Sequence, residues 1–243
     1  MENKKIIQSI PWGISPFDNH TGGIPANDIT VMETPDYHLG QIVLGQFIHH
    51  GLVKGERCVL ITFDTAVTFL ENFLNWNLDF QKYIDNEQLI LLNYKGNISN
   101  EVGLTHKYDS LFEEIQRLCG GSVPHRIAID QIDALINLNN LILMNQSAQK
   151  LAVAANQPIT AETTILGNFV QFGDETHRNL SIALQKTMKG YFCLDRPNNF
   201  SPHELLFETK KLPWFGYNYH QMPIRIVEGT GFETRRPQAH EVA

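Results

Sequence analysis

Short apolar runs alternate with stretches of helical periodicity over the first two thirds of the chain, and this alternation restricts the possible folds more than any other feature. The apolar runs, rich in aliphatic and β-branched residues, lie at residues 29–32, 58–63, 89–94 and 126–130. The helical patterns lie at residues 40–52, 66–75, 108–119 and 138–155. Strands that alternate with helices form a parallel sheet with helices on both faces. We therefore predict an α/β fold.

After residue 155 the pattern changes to short apolar segments with little helix between them. The segments predicted as β-structure lie at residues 163–166, 169–172, 180–185, 205–207 and 224–227. Because antiparallel strands give short alternating segments of this kind, we expect the sheet to end in antiparallel strands. The polar stretch at residues 194–202 contains prolines and is predicted as an exposed loop. We predict one domain at residues 1–233 and a flexible tail at residues 234–243.

The charge and the cysteines argue against several classes of protein. The formal net charge is −7, so we do not expect nucleic acid as the partner. The cysteines are far apart and form no C-x-x-C pair, which indicates neither a disulfide framework nor a zinc site. No apolar run approaches the roughly 18 residues that cross a bilayer, so we predict no membrane insertion. A reducing compartment fits this pattern, and we predict a cytoplasmic protein.

Patterns typical of metal ligands or nucleophiles are missing from the sequence. His49 and His50 are adjacent, so they point in different directions on a helix, and we expect the histidines to lie at the surface. The sequence contains no H-E-x-x-H motif and no G-x-S-x-G motif. We therefore predict no catalytic residue, no metal and no cofactor.

Residues 34–41, Thr-Pro-Asp-Tyr-His-Leu-Gly-Gln, follow the first predicted strand, at the place where many α/β proteins carry a phosphate-binding loop. Such a loop, G-x-x-x-x-G-K-[ST], needs glycines that let backbone N–H groups wrap the phosphates, a lysine for the β- and γ-phosphates, and a hydroxyl for magnesium. Here Asp36 adds negative charge, while Tyr37 and His38 add bulk where the backbone would have to approach a ligand. The chemistry of a phosphate-binding loop is therefore missing.

Motifs on both sides of this segment resemble those of the RecA-fold ATPases of the KaiC type. They are Gly-Ile-Ser-Pro-Phe-Asp at residues 13–18, Gly-Gly-Ile-Pro at 22–25, a second strand at 55–64, a Walker B-like strand at 126–130, and a segment at 178–186 similar to the family's late strand and basic turn. The resemblance covers residues 10–232. It implies a RecA-like three-layer α/β/α fold with a mostly parallel central sheet and antiparallel C-terminal strands.

The same resemblance identifies positions that depart from the family's pattern. It places Thr34 on the first loop glycine, Leu39 on the last, Gly40 on the lysine and Gln41 on the magnesium-binding serine or threonine. Asp64 matches the acidic residue that primes water in active members, and Asp130 matches the aspartate that supports magnesium. Without the lysine and the loop we expect no ATP hydrolysis. We expect both aspartates to keep structural roles, such as helix capping or turn hydrogen bonds, and Asp133 to lie at the surface.

An aromatic segment at residues 212–219 has no counterpart in the family's pattern. Its candidate partner-binding residues are Trp214, Phe215, Tyr217 and Tyr219. Dense aromatics in a segment of this kind either fill a local core or anchor a partner protein, and the sequence leaves both open. Trp12 and Trp76 are predicted as core or packing residues.

The predicted function is that of a non-catalytic RecA-like subunit, structural or adaptor, in a larger cytoplasmic assembly such as a secretion or motility machine. Other protein subunits are the expected partners, and self-association is compatible with the fold. One alternative is a regulator that binds a nucleotide in a non-standard pose. Another is a ring subunit that handles nucleic acid, which the acidic charge disfavours.

Overall fold

The computed structural model describes residues 8–63, 66–93, 105–157, 160, 162–198, 201–214 and 220–234. The strands are β1 (Ser9–Ile10), β2 (Ile24–Pro25), β3 (Ile29–Thr34), β4 (Cys58–Thr62), β5 (Leu89–Asn93), β6 (Arg126–Ile129), β7 (Thr164–Val170), β8 (Gly190–Asp195), β9 (Glu204–Lys211), β10 (His220–Val227) and β11 (Gly231–Thr234). The helices are α1 (Ser15–Thr21), α2 (Tyr37–Val53), α3 (Ala66–Leu74), α4 (Gln81–Asp85), α5 (Thr105–Leu118), α6 (Leu141–Ala154) and α7 (Glu175–Thr187), with a short 3-10 helix at Ile132–Leu135.

In the described part of the chain the main sheet has nine strands in the order β11-β10-β9-β8-β3-β7-β6-β4-β5. Strands β3 to β8 are parallel to their neighbours within that group, whereas β9, β10 and β11 add to β8 as antiparallel strands. This arrangement confirms the predicted α/β class, including the antiparallel C-terminal strands. The parallel strands end at a common carboxyl edge, which is where α/β sheets bind ligands.

The two faces of the sheet carry different cores. One face, covered by α1, α2 and α3, is aromatic: Trp12 is fully buried and packs edge-on against Phe192, and Phe17 stacks on Phe207 at 4.1 Å between ring centroids. The other face, covered by α5, α6 and α7, is mainly aliphatic. Aromatic pairs with these geometries add about 0.5–1.5 kcal/mol beyond the area that they bury. The prediction that Trp12 lies in the core is confirmed.

The prediction of a strand at residues 180–185 is wrong, because this segment lies in α7. The same correction applies to residues 178–186, which the family resemblance placed in a late strand. Leu180, Ile182 and Leu184 alternate as in a strand, but the buried positions are Leu180, Ala183 and Leu184, which is helical spacing, and Ile182 is exposed. Asp174 starts the helix by accepting a hydrogen bond from the backbone N–H of His177 at 2.8 Å.

Three other boundaries differ from the prediction. The segments at residues 163–166 and 169–172 form one strand, β7, which is buried along its whole length. Strand β8 includes Leu194 and Asp195, which were predicted to start an exposed loop. Thr234 ends β11, so it belongs to the sheet; the rest of the predicted tail lies outside the described residues.

Candidate functional site

At the carboxyl edge, α2 begins almost directly after β3. Only Pro35 and Asp36 separate Thr34, the last residue of β3, from the first helical residue, Tyr37. The carboxylate of Asp36 caps the helix by accepting a hydrogen bond from the backbone N–H of Leu39 at 2.9 Å, and it also pairs with Arg196 at 3.2 Å. The helix starts three residues earlier than the predicted Gly40, so the segment forms a helical turn where a phosphate-binding loop would wrap its backbone N–H groups around a ligand.

Gly40 is the contact point between α2 and β7. A Cβ atom at this position would lie 1.8 Å from Nδ2 of Asn168 and 3.2 Å from the hydroxyl oxygen of Thr34. Asn168 lies in the middle of β7 and is fully buried. A side chain at residue 40 would therefore require the buried Asn168 side chain to shift. Leu39, the preceding residue, is buried in the aromatic core.

Gln41 joins three elements through its side-chain amide. Its Nε2 donates to Oδ2 of Asp130, at the end of β6, over 3.4 Å, and its Oε1 accepts from Nδ2 of Asn72 in α3 at 3.2 Å. Asp130 is fully buried and Gln41 is nearly so. A neutral amide thus donates to the carboxylate at the position where the family resemblance implies a magnesium ion. The side chain of Asp130 thus links β6 to α2, a structural contact between elements.

The turn after β6 has an uncommon backbone conformation. Gln131 has a φ of 58°, in the left-handed region, and its N–H donates to Oδ1 of Asn168 at 3.1 Å. Nδ2 of Asn168 is buried and has no hydrogen-bond partner in the described part of the chain. Non-glycine residues in this region cost about 1–3 kcal/mol and concentrate at ligand sites and switch regions. The strained turn therefore marks this edge as a candidate site.

A cavity of about 450 Å³ opens at the same edge. Its lining consists of Tyr37, His38, Gln41, Asn72 and Gln131. Among the described residues the lining contains no lysine, arginine or carboxylate, and three of the five lining residues carry carboxamides. A cavity of this composition offers many hydrogen bonds but no positive side chain for a phosphate group.

Asp133 is half-buried in the 3-10 helix, which corrects the expectation of a surface position. Burial raises the pKa of its carboxyl above the usual value, and the nearby His177 opposes this shift. His177 itself contacts Asp174 at 2.7 Å between Nδ1 and Oδ2. His49 and His50 are also half-buried and not at the surface, and burial lowers the pKa of each.

A family model described as the KaiC ATPase matches residues 10–226 of the chain. The chain belongs to the KaiC ATPase family. The crystal structure of the KaiC-like protein PH0186 from the hyperthermophilic archaeon Pyrococcus horikoshii OT3 matches with a TM-score of 0.73 at 17% sequence identity. The match covers 95% of this chain and 100% of that one, and at this identity it shows the fold alone. A search of the curated proteins gave no match. The resemblance inferred from the motifs is thereby confirmed.

The predicted site residues fall into three groups. Thr34, Leu39, Gly40, Gln41 and Asp130 come together at the carboxyl edge. Asp64, Phe215, Tyr217 and Tyr219 lie outside the described residues. Trp214 lies far along the chain, next to α1, where the residue is 37% exposed and its indole N–H donates to the carbonyl of Thr21 at 2.9 Å.

Sequence reasoning missed Asn72, Gln131 and Asn168. Of these, Asn168 could have been found from the sequence, because it is a carboxamide inside an apolar strand, where a buried polar side chain needs a hydrogen-bond partner. No group of histidine, cysteine and carboxylate side chains that could hold a metal occurs among the described residues. Nor does that part of the chain contain a helix with the length and apolar character needed to cross a bilayer.

Proposed function

We propose that this KaiC-family protein is catalytically silent and acts as a structural or adaptor subunit of a larger protein assembly. The observation that carries the proposal is the contact of Gly40 with Asn168. A lysine at position 40 would have to displace a fully buried side chain of β7, so the close packing of α2 on the sheet is incompatible with the phosphate-binding lysine.

Two further features support a loss of triphosphate chemistry. The Asp36 carboxylate occupies the start of α2, where backbone N–H groups would otherwise face an anion. The amide of Gln41 reaches Asp130, in place of the hydroxyl that would help to hold magnesium. Phosphoryl transfer depends on positioning and on positive charge at the transferred group. The described cavity lining carries no lysine or arginine, and the nearby Arg196 is paired with Asp36.

A direct test is the release of phosphate from ATP and magnesium by the purified protein. We expect no release above the buffer rate. Turnover by the wild type that disappears in Asp130→Asn would contradict the proposal.

The adaptor part of the proposal is supported by apolar side chains left at the surface. Ile142 and Val153 on α6 and Ile182 on α7 are all more than half exposed, and Trp214 is partly exposed beside α1. Of these residues Trp214 carries the argument, because tryptophan is enriched among the residues that dominate binding energy at protein interfaces. The net charge of −7 gives no support to the alternative of a nucleic-acid ring subunit.

Purification of the tagged protein from its native cells, followed by mass spectrometry, tests the adaptor role. We expect a stoichiometric set of other subunits, lost in Trp214→Ala and retained in Phe172→Ala. Phe172 is a matched control because it is an exposed aromatic residue at a different place, the carboxyl edge. Recovery of the protein alone, in gentle salt, would contradict the adaptor role.

A further inference from the structure

Helix α6 differs from its neighbours in having almost no charge. Across Leu141–Ala154, all of which the structure describes, Lys150 is the only charged residue. The two helices that contact it on the same face of the sheet, α5 and α7, carry both acidic and basic residues. Solvated helix faces are rich in charge, whereas the centres of protein interfaces are depleted of it. The composition of α6 therefore indicates a surface that another molecule covers.

The exposed residues of α6 form a narrow stripe. Beyond its first residue, the exposed positions of the helix are Ile142, Gln146, Gln149 and Val153, with Ile142 70% and Val153 66% exposed. These positions are spaced by 4, 3 and 4 residues, so they lie on one line along a helix of 3.6 residues per turn. The stripe is apolar at its two ends and carries carboxamides in its middle.

The order of side chains along this stripe is the same in both directions. Two copies of α6 that pack antiparallel about a twofold axis between residues 147 and 148 place Ile142 against the partner's Val153. The same axis places Gln146 against the partner's Gln149, and a carboxamide can donate to and accept from another carboxamide. A twofold interface needs a patch that is complementary to itself in this way. The symmetry of the stripe therefore points to a second copy of this chain as the occupant.

Charge also favours contact through α6. The chain has a formal net charge of −7, so two copies repel each other, and acidic faces brought together would add to that repulsion. The described range Leu141–Ala154 contains no aspartate or glutamate. Two copies that meet through α6 therefore avoid contact between carboxylates of this helix.

A shallow cavity of about 280 Å³ lies beside the stripe, between α5 and α6. Its lining includes Gln149, Lys150 and Val153 of α6 and Asp109 of α5. In the antiparallel arrangement the partner's Ile142 lies opposite Val153, at this cavity. A side chain of one helix that enters a hole on the facing surface is the usual packing between paired helices. The cavity thus gives the apolar end of the stripe a place to pack.

We propose that the protein forms a twofold dimer through α6, with the two helices antiparallel and the axis between residues 147 and 148. The dimer surface lies on the opposite face of the sheet from α1, beside which Trp214 packs. The dimer therefore leaves the Trp214 surface free and is independent of the adaptor role. A contact made mainly by one pair of helices is small, so we expect a dissociation constant of about 1–100 μM.

Sedimentation of the purified full-length protein, at concentrations from about 1 to 300 μM, tests the proposal. We expect the mass to rise from that of a monomer to that of a dimer. Ile142→Lys puts a positive charge against the partner's Val153 twice in each dimer, and it should weaken association at least about tenfold. The matched control is Ile182→Lys on α7, where the isoleucine is 60% exposed, and it should leave association unchanged.

Two double variants test the twofold pairing of the glutamines. Gln146→Glu with Gln149→Glu brings like charges together twice and should weaken the dimer at least about tenfold. Gln146→Glu with Gln149→Lys brings opposite charges together twice and should dimerise at least as tightly as the wild type. All four positions changed in these variants and in the single ones are exposed, so equal urea midpoints of unfolding should show that the fold is kept.

Three results would overturn this inference. The first is a protein that stays monomeric at the highest concentration, and the second is a dimer that Ile142→Lys leaves unchanged. The third is equal weakening by the two double variants, which a parallel pair of helices would give because each residue would then face its own copy. None of these results affects the adaptor role, which is tested separately by the subunits that Trp214→Ala loses.

Discussion

The two ends of strand β6 hold buried side chains of opposite charge in different surroundings. At the amino end, the guanidinium of Arg126 binds the Glu56 carboxylate at 2.5 Å and donates to the carbonyls of Pro11 and Phe47 at 2.9 and 3.1 Å. At the carboxyl end, Asp130 accepts from the neutral amide of Gln41 over 3.4 Å. Both side chains are 1% exposed or less.

Arg126 has a structural role, whereas Asp130 occupies the position of the family's magnesium-supporting aspartate. Burial of a charge is costly unless it is paired and hydrogen-bonded, and Arg126 meets both conditions with partners from three segments of the chain. Asp130, at the position that the family resemblance assigns to magnesium support, accepts from the amide of Gln41. We expect the loss of the Arg126 charge to destabilise the fold more, because it breaks bonds to three segments of the chain.

The largest effect is expected when the charge of Arg126, at the amino end of β6, is removed. Arg126→Met leaves the Glu56 carboxylate and two carbonyls without their donor, and also removes the cation–π contact with Phe47 at 4.7 Å. We expect the free energy of unfolding, measured in urea, to fall by about 3 kcal/mol.

The matched control is Arg117→Met, which breaks an exposed ion pair with Glu114 on one helix and should have no measurable effect. If Arg126→Met fails to fold, Arg126→Lys keeps the charge and should still destabilise, because lysine cannot make the same set of bonds. Equal urea midpoints of unfolding for all of these variants and the wild type would show that the charge of Arg126 does not stabilise the fold.

The second effect concerns the carboxyl end. Gly40→Ala places a Cβ 1.8 Å from Nδ2 of Asn168, and we expect a loss of about 1–3 kcal/mol, although alanine is the better helix former. The double variant with Asn168→Ser should recover part of that loss, because the two sites are in contact. Additive losses in this double-mutant cycle would mean that the helix adjusts in another way.

A smaller effect is expected when the charge of Asp130, at the carboxyl end of β6, is removed. Asp130→Asn keeps an oxygen that can accept from Gln41, so the free energy of unfolding should fall by about 1 kcal/mol or less. Magnesium should not change the unfolding midpoint of the wild type. A loss as large as that of Arg126→Met, or stabilisation by magnesium that Asp130→Asn abolishes, would show that the charge at this end is still in use.

Much of the architecture could be predicted from the sequence because the strands of the first two thirds are continuous apolar runs. The helix at α7 was missed because Ile182, which is exposed, falls between Leu180 and Leu184 and creates a false alternation. The burial of Ala183, which shows the helical period, cannot be seen from the sequence. The sequence also predicts two separate strands, one ending at residue 166 and one beginning at residue 169, because Gly167 interrupts the apolar pattern. The strand is continuous, and residue 167 is a glycine because Ile132 packs where its Cβ would be.

The candidate site was predictable only in part. The flanking motifs lead to the prediction that Gly40 takes the position of the family's lysine. The contact that replaces it cannot, because Asn168 lies more than a hundred residues away and meets Gly40 only when β3 and β7 pair. The roles of Asn72 and Gln131 depend in the same way on elements that the sequence does not place together.

The smallest expected effect concerns pH, and it also belongs to the amino end of β6. Burial lowers the pKa of His50, helped by the positive charges of Lys54 and Arg126. Its folded pKa is therefore below the usual 6.5, so the unfolded chain binds more protons around that pH, and the free energy of unfolding should decrease as pH falls from 7.5 to 5.5. His20 and His49 have pKa values lowered by burial and contribute slopes of the same sign.

His50→Gln should make this pH dependence shallower without removing it, because His20 and His49 remain. Unfolding in urea at several pH values measures the slope. At pH 8.5 a histidine is neutral in both the folded and the unfolded protein, so the difference in the free energy of unfolding between variant and wild type at that pH reports the packing change alone. If the slope of the variant equals that of the wild type, the proton uptake on unfolding arises elsewhere. A shallower slope would show that His50 takes up a proton on unfolding, as expected for a histidine whose pKa is lowered by burial and by the positive charges of Lys54 and Arg126.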